Sequence, residues 1–291
     1  VTGVNGRVAV VTDSTACLSA ALVGLGGITV VPLDVVMAGR ARPETDIDER
    51  ELVAALRGRE KVTTSRPTPD RFAQVFTRLA DEGAAAVLSV HLSAATSGTC
   101  EAARLAADRA PVPVEIYDSA QMSFGVGCVA LAAARAAHAG ADRHGVLEAA
   151  RQASTATRVL FCVDDLEHLR RGGRIGSAAA LIGSALAVKP ILHVVDGRVA
   201  VLEKARTATR ARARLVEVTL ERMAELTGAI DACGARMSVT VQHLGAETAA
   251  SGLAEVLAAR TGVAEVPVLP VGAVVGAHVG PGAVGVVIGP A

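Results

Sequence analysis

The stretch Ala84–Val90 constrains the fold most. Apart from Ser89 it is wholly apolar, and it shows no helical stripe. A strand of this kind is covered on both faces, as in the middle of a parallel sheet. Arg7–Thr12 and Val114–Tyr117 are similar runs. Ile28–Met37 is another, interrupted by Pro32. Helical patterns lie between them. Ile47–Leu56 starts near Asp46 or Asp48, Pro69 and Asp70 open Arg71–Leu79, and an Ala-rich helix spans about Phe124–Ala137. Asp13-Ser14-Thr15 supplies N-cap residues for a short helix. Strands alternating with helices predict an α/β layered domain with a parallel sheet.

The second half reads differently. Val159–Val163, Met237–His243 and Val266–Leu269 are strand-like. Ile191–Val195 and Val199–Glu203 flank Asp196-Gly197, which supplies the positive φ angles of a type I′ hairpin. Helices are expected over Ala178–Ala187, Thr207–Thr227 and Glu247–Arg260. A glycine-rich stretch, Gly276–Gly285, leads to a final apolar strand. The hairpin predicts a mixed sheet here. The 291 residues therefore divide into an N-terminal domain, 1–155, and a C-terminal domain, 156–291.

Composition excludes several functions. Lys plus Arg, 29, equals Asp plus Glu, 29, so no charge excess points to nucleic acid or an anionic membrane. One Tyr, four Phe and no Trp leave little for stacking bases or sugars. A ligand pocket must be lined by Ala, Val, Leu and Ile. Five scattered cysteines without C-x-x-C spacing argue against disulfides or structural zinc and favour a reducing cytosol. Val1–Gly6 has neither a basic nor an apolar leader segment, so no signal peptide is expected. No apolar run is long enough for a membrane helix.

In open α/β sheets, ligands bind beyond the carboxyl ends of the strands. Four hydroxyl-rich segments lie after strands or between elements: Asp13-Ser14-Thr15, Thr63-Thr64-Ser65, Ser93 to Thr99 and Asp118-Ser119. Each could merely cap its own helix. Together they form a candidate anion site. Ser97 lacks the G-x-S-x-G elbow, and nothing supplies an acid partner for His278. No phosphate-binding glycine loop is present, and the histidines lack metal-ligand spacing. Leu169–Arg174 is cationic. Lys204, Arg206, Arg210, Arg212 and Arg214 crowd a helix start, where the dipole disfavours them. An ion pair or a protein partner is therefore expected at Arg206.

The motifs and their order resemble the DegV family. Val10-Val11-Thr12-Asp13-Ser14-Thr15 resembles its V-T-D-S-T, and Thr64-Ser65-Arg66-Pro67-Thr68-Pro69 its T-S-Q-P-S-P. Ser97-Gly98-Thr99 and Asp118-Ser119 follow. Asp164 to Ile175 resembles D-x-L-x-x-L-x-K-G-G-R-I. Lys189-Pro190-Ile191-Leu192, Lys204-Ala205-Arg206-Thr207 and Gly276 to Ala283, similar to G-x-H-x-G-P-G-A, complete the order. A single motif would be weak. The ordered series is specific.

The resemblance implies a two-domain α/β protein that holds one long-chain fatty acid in an apolar tunnel between its domains. It implies a non-catalytic, cytoplasmic binding subunit in phospholipid metabolism. The subunit presents the carboxylate to a separate fatty acid kinase catalytic subunit, which makes acyl phosphate. No cofactor or metal is implied beyond the lipid, and transient membrane contact for lipid exchange is compatible. By position, Thr63, Thr64, Ser93, Ser97 and His278 would grip the carboxylate, and Arg174 and Arg206 would face the kinase. Arg66 replaces the family's Gln, only Ser93 remains of S-S-x-L, and Cys100 stands where an aromatic is common. Two alternatives remain: a lipid hydrolase or acyltransferase using Ser97 and His278, and a small-anion sensor with no apolar tunnel. Burying about 14 methylenes gives roughly 11 kcal/mol gross. Association costs at least about 4 kcal/mol, and each head-group hydrogen bond adds about 1 kcal/mol. The tail supplies affinity, and the hydroxyls fix orientation.

Overall fold

The computed structural model describes residues 6–181, 188–263 and 265–291. The N-terminal strands and helices are β1 (Val8–Asp13), α1 (Ala20–Gly26), β2 (Thr29–Val31), β3 (Asp34–Met37), β4 (Arg40–Pro43) and α2 (Glu49–Arg57). They continue with β5 (Thr63–Ser65), α3 (Pro69–Asp81), β6 (Ala86–His91), α4 (Thr99–Ala107), β7 (Val114–Asp118), α5 (Phe124–His138) and α6 (Arg143–Thr155). The C-terminal part holds β8 (Arg158–Cys162), α7 (Glu167–Arg171), β9 (Lys189–Val195), β10 (Arg198–Ala205), α8 (Ala208–Ala232), β11 (Met237–His243), α9 (Glu247–Thr261), β12 (Val268–Pro270), α10 (Ala273–Val279) and β13 (Val284–Pro290). Gly176–Leu181 is a 3-10 segment. The remainder of the helix expected over Ala178–Ala187 lies largely outside the described residues.

The first sheet is parallel, in the order β2-β1-β6-β7. Alternation in β1 shows how it is covered. Val8 and Val10 face α5 and α6, while Ala9 and Val11 face α3 and α4. The second sheet is mixed, in the order β10-β9-β8-β13-β11-β12, and only β11 and β12 run parallel. Its Leu160, Val286 and Ile288 pack with α8 and α9, and Val159, Phe161 and Val287 face the other way. The expected α/β class, with a parallel sheet followed by a mixed one, is the class observed.

Two local features follow from residue type. Asp196 and Gly197 have φ of 49° and 71°, as a type I′ turn requires. Pro32 splits the predicted Ile28–Met37 strand in two. β2 joins the parallel sheet, whereas β3 joins a small antiparallel sheet, β4-β3-β5. That small sheet packs through Val35 and Leu33 against Leu244, Ala273 and Val274 of the C-terminal part.

Helix α5 carries no polar side chain from Phe124 to Ala134, so this part must be covered by apolar partners, while Arg135 and His138 in its last turn are exposed. Val126, Val129 and Ala133 pack on the parallel sheet, and Phe124 and Cys128 pack on the mixed one. Its glycines permit that approach. A Cβ on Gly125 would lie 2.7 Å from a Val159 methyl, and one on Gly127 would lie 2.6 Å from the Ala16 carbonyl oxygen.

The burial pattern predicts a sharp contrast in urea unfolding. Leu257→Ala removes a fully buried side chain from the α8/α9 core and should cost about 2–5 kcal/mol. Leu25→Ala, at a side chain 79% exposed, should change stability by less than about 0.5 kcal/mol.

Candidate functional site

A cavity of about 130 Å³ lies between the two main sheets. A single water needs only about 10–15 Å³, so the space suits a long ligand better than a single small anion. Most of the wall is aliphatic, including Leu33, Leu92, Val194, Val199, Val274 and Val287. Polar groups gather where β5, the 93–98 loop and the end of α10 meet.

The structure brings Thr64, Ser97, His278 and Arg174 together on the cavity wall. The His278 Nε2 lies 2.9 Å from Thr64 Oγ1. Its Nδ1 is buried with no hydrogen-bond partner among the described residues. Burial, and secondarily the Arg174 guanidinium, push the imidazole down to about 4, so it is neutral near pH 7. Gly172 makes room for the ring. A Cβ there would lie 2.1 Å from Nδ1. Ser97 Oγ pairs with Thr99 Oγ1 at 2.8 Å and accepts from the Thr99 N–H at 3.3 Å.

Other expected residues lie elsewhere. Ser93 is buried, and its Oγ accepts from the Ala95 N–H at 3.1 Å. It packs against the tip of the β9–β10 hairpin, since a Cβ on Gly197 would meet its Oγ at 2.1 Å. Ser93 therefore shapes the loop and is not among the lining residues. Thr63 is exposed and borders an adjoining groove with Arg59, Lys61 and Arg171. That groove shares Thr64, Arg174 and His278 with the cavity. Arg174 donates to the Thr96 and Gly172 carbonyls at 2.9 and 2.6 Å, so it holds the mouth of the cavity. Arg206 is exposed and makes no ion pair among the described residues. Arg66 lines the cavity and donates to the Gly98 carbonyl at 3.3 Å.

The sequence reading overlooked Ser123, Gln242 and His243, which line the cavity together with Thr15 of the first hydroxyl-rich segment. Gln242 had a detectable signal: with Ser238 and Thr240 it forms a polar alternation in β11 opposite Val239 and Val241. A Ser–His–Asp line was overlooked as well. Ser89 Oγ lies 2.7 Å from His91 Nε2, and His91 Nδ1 lies 2.9 Å from Asp13 Oδ2. All three residues have zero exposure and none lines the cavity, so the line knits β1 to β6. No group of three or more His, Cys, Asp or Glu suited to a metal occurs among the described residues. No helix among them is long and apolar enough to cross a membrane.

This architecture defines a two-sheet α/β protein with an aliphatic cavity and a polar, cationic mouth. The profile described as an uncharacterised protein, DegV family, matches residues 7–291, and the chain belongs to that family. It is 49% identical to a DegV domain-containing protein of Streptomyces coelicolor over 97% of this chain and 98% of that one. A Thermus thermophilus DegV family protein, described by its fatty acid binding, superposes with TM-score 0.86 at 36% identity, covering 98% of this chain and 100% of that one. DegV of Bacillus subtilis, described as a fatty acid binding protein, gives 0.87 at 32% identity, covering 98% and 100%.

The low His278 value carries a pH prediction. The unfolded imidazole takes a proton near pH 6.5, and the folded one only near pH 4. The contribution of neutral His278 is thus complete above about pH 6.5 and is lost as pH falls toward about 4. The loss from this residue should reach about 3 kcal/mol. Unfolding free energies of His278→Gln measured across that window should lack this part of the slope.

Proposed function

We propose that this protein binds one long-chain fatty acid, with the tail in the aliphatic cavity and the carboxylate at Thr64, Ser97 and His278. The observation that carries the reading is an aliphatic cavity with Thr64, Ser97 and His278 gathered at one mouth. The fatty acid binding described for the Thermus thermophilus and Bacillus subtilis relatives supports it. A carboxylate leaving water must regain hydrogen bonds. Rotatable hydroxyls and a neutral imidazole can supply them without presenting a second buried charge. In this reading Ser93 positions the loop that carries Ser97, and Thr63 serves the neighbouring basic groove.

The same reading extends to presentation. The protein acts as a non-catalytic, cytoplasmic subunit that offers the carboxylate to a kinase for acyl phosphate formation. The basic groove beside the mouth and the unpaired Arg206 favour a partner surface that is acidic or carries phosphate. The chain divides functionally near residue 155, with the ligand held between the two parts. The hydrolase reading has less support, because His278 Nδ1 has no carboxylate partner among the described residues. Turnover of p-nitrophenyl esters that disappears in Ser97→Ala would revive it.

Organic extraction of protein purified from a bacterial host should release one long-chain fatty acid per chain by mass spectrometry. Protein that holds no lipid, and whose melting temperature added fatty acid does not raise, would defeat the reading. Arg206→Glu should keep the lipid but slow acyl phosphate formation with the cognate kinase. Arg174→Glu should impair both, because Arg174 also holds the Thr96 and Gly172 carbonyls at the mouth.

A further inference from the structure

We infer that the cavity contains a second polar station, built from Gln242 and Ser123, that receives an oxygen carried midway along the ligand chain. The ligand class would then be oxygenated fatty acids, with hydroxy acids foremost. The inference rests on the fatty acid reading above and specifies its substrate.

Gln242 sits on β11, where Val239 and Val241 pack into the α8/α9 core. Strand alternation turns Gln242 to the opposite side, where it lines the cavity at 3% exposure. Its Oε1 accepts from Ser123 Oγ at 2.8 Å and from the Phe124 N–H at 3.3 Å. A backbone N–H can only donate, so this pair fixes which end of the amide is oxygen. The Nε2 end remains, with two hydrogens and no hydrogen-bond partner among the described residues. Leaving such a donor unmet is costly in an apolar wall. The neighbouring Cys17 Sγ is a weak partner. It already lies 3.5 Å from both Ser123 Oγ and the Gly272 N–H.

Ser123 carries a second mark. It is a non-glycine residue held at φ 52°, ψ −147°, directly before α5. Strain of this kind persists where the surroundings enforce it, commonly at ligand sites. Here it accompanies the placement of the hydroxyl on the Gln242 amide.

The station is distinct from the head-group mouth. It adjoins the start of α10, because Cys17 Sγ contacts both Ser123 and Gly272. His278 lies in the last turn of that helix. A rise of about 1.5 Å per residue separates the two ends by roughly 8 Å along the axis. A chain anchored at Thr64 and His278 would therefore pass Gln242 in mid-course, where an unsubstituted methylene would leave the amide unmet.

The test uses the full chain after its co-purified lipid has been extracted. Dissociation constants are measured for stearic acid and for monohydroxystearic acids with the hydroxyl stepped along the chain. One mid-chain isomer should bind about 5-fold tighter than stearic acid, the value of a single hydrogen bond. That advantage should fall to about 1-fold in Gln242→Leu. If stearic acid binds and no isomer exceeds it, solvent serves the amide; the inference is overturned and the fatty acid reading stands. If the advantage survives Gln242→Leu, the contact lies elsewhere and the inference is again overturned. If neither stearic acid nor any isomer binds, both readings fall. The wild-type isomer series can still overturn the inference if the variant does not fold.

Discussion

The rest of the structure depends on the wedge that α5 forms between the two main sheets. A helical stretch without a polar face can be satisfied only by apolar partners all round. One side meets the parallel sheet and the other meets β8 and β13. Gly125 and Gly127 set the separation, and Gly289 does the same from the sheet side, where a Cβ would lie 2.9 Å from Cys128 Sγ. Beyond the start of α5 the layers are bridged by α10, whose Val274, Val275, His278 and Val279 line the cavity. The cavity is the space left there, and Ser123 at the helix start becomes part of its wall.

A second constraint fixes the polar rim. The buried Asp13 carboxylate accepts from the Thr15 N–H and hydroxyl, from the Leu92 N–H, and is paired with His91. Thr15 and Leu92 both line the cavity. One carboxylate thus aligns the carboxyl ends of β1 and β6 and positions two wall residues. Glu44 performs a related task across the layers. Its Oε1 accepts from the Val274 N–H at 2.7 Å, capping the helix that carries His278. Burial raises the Glu44 pKa, and the cap bond to Val274 works against that rise. Both acids come from the N-terminal part, yet one shapes the pocket floor and the other anchors a C-terminal helix. The cavity is a property of the two parts together.

Much of this was legible in the sequence because the signals were local. Apolar runs marked β1, β6 and β7, and Asp196-Gly197 marked its hairpin. Thr207 was legible as a helix start, and its hydroxyl does cap α8. What escaped lacked a local signature. Thr63-Thr64-Ser65 has no apolar pattern, and it is a strand because β3 offers it a register partner. The glycines of 276–285 read as a loop, but Gly276 lies within α10. A Cβ there would come within 2.8 Å of Leu52, so its smallness serves packing. Residue types pointed to Thr64, Ser97 and His278, which the fold brings to the cavity wall, and to Ser93, which is buried with its hydroxyl on the Ala95 N–H of its own loop. Gln242 and Ser123 meet across 119 positions of chain, a separation that no motif bridges.

The cavity itself had no sequence signature, and the reason is physical. Val159, Phe161 and Val287 carry the same hydrophobicity whether they face protein or open space. In β8 and β13 both faces are apolar, so the pattern reads as ordinary core. Yet open space in a core is unfavourable. Side chains facing open space forgo the dispersion contacts that a packed neighbour would give. A side chain enlarged into the space would relieve that loss, yet Ala283 stands on its wall and Gly285 beside it. An aliphatic occupant would restore the lost contacts and be stabilised by the same wall. On the proposed reading, the contacts that the wall forgoes are the ones a fatty acid tail would make. The polar atoms at the mouth would then set which way round that tail enters.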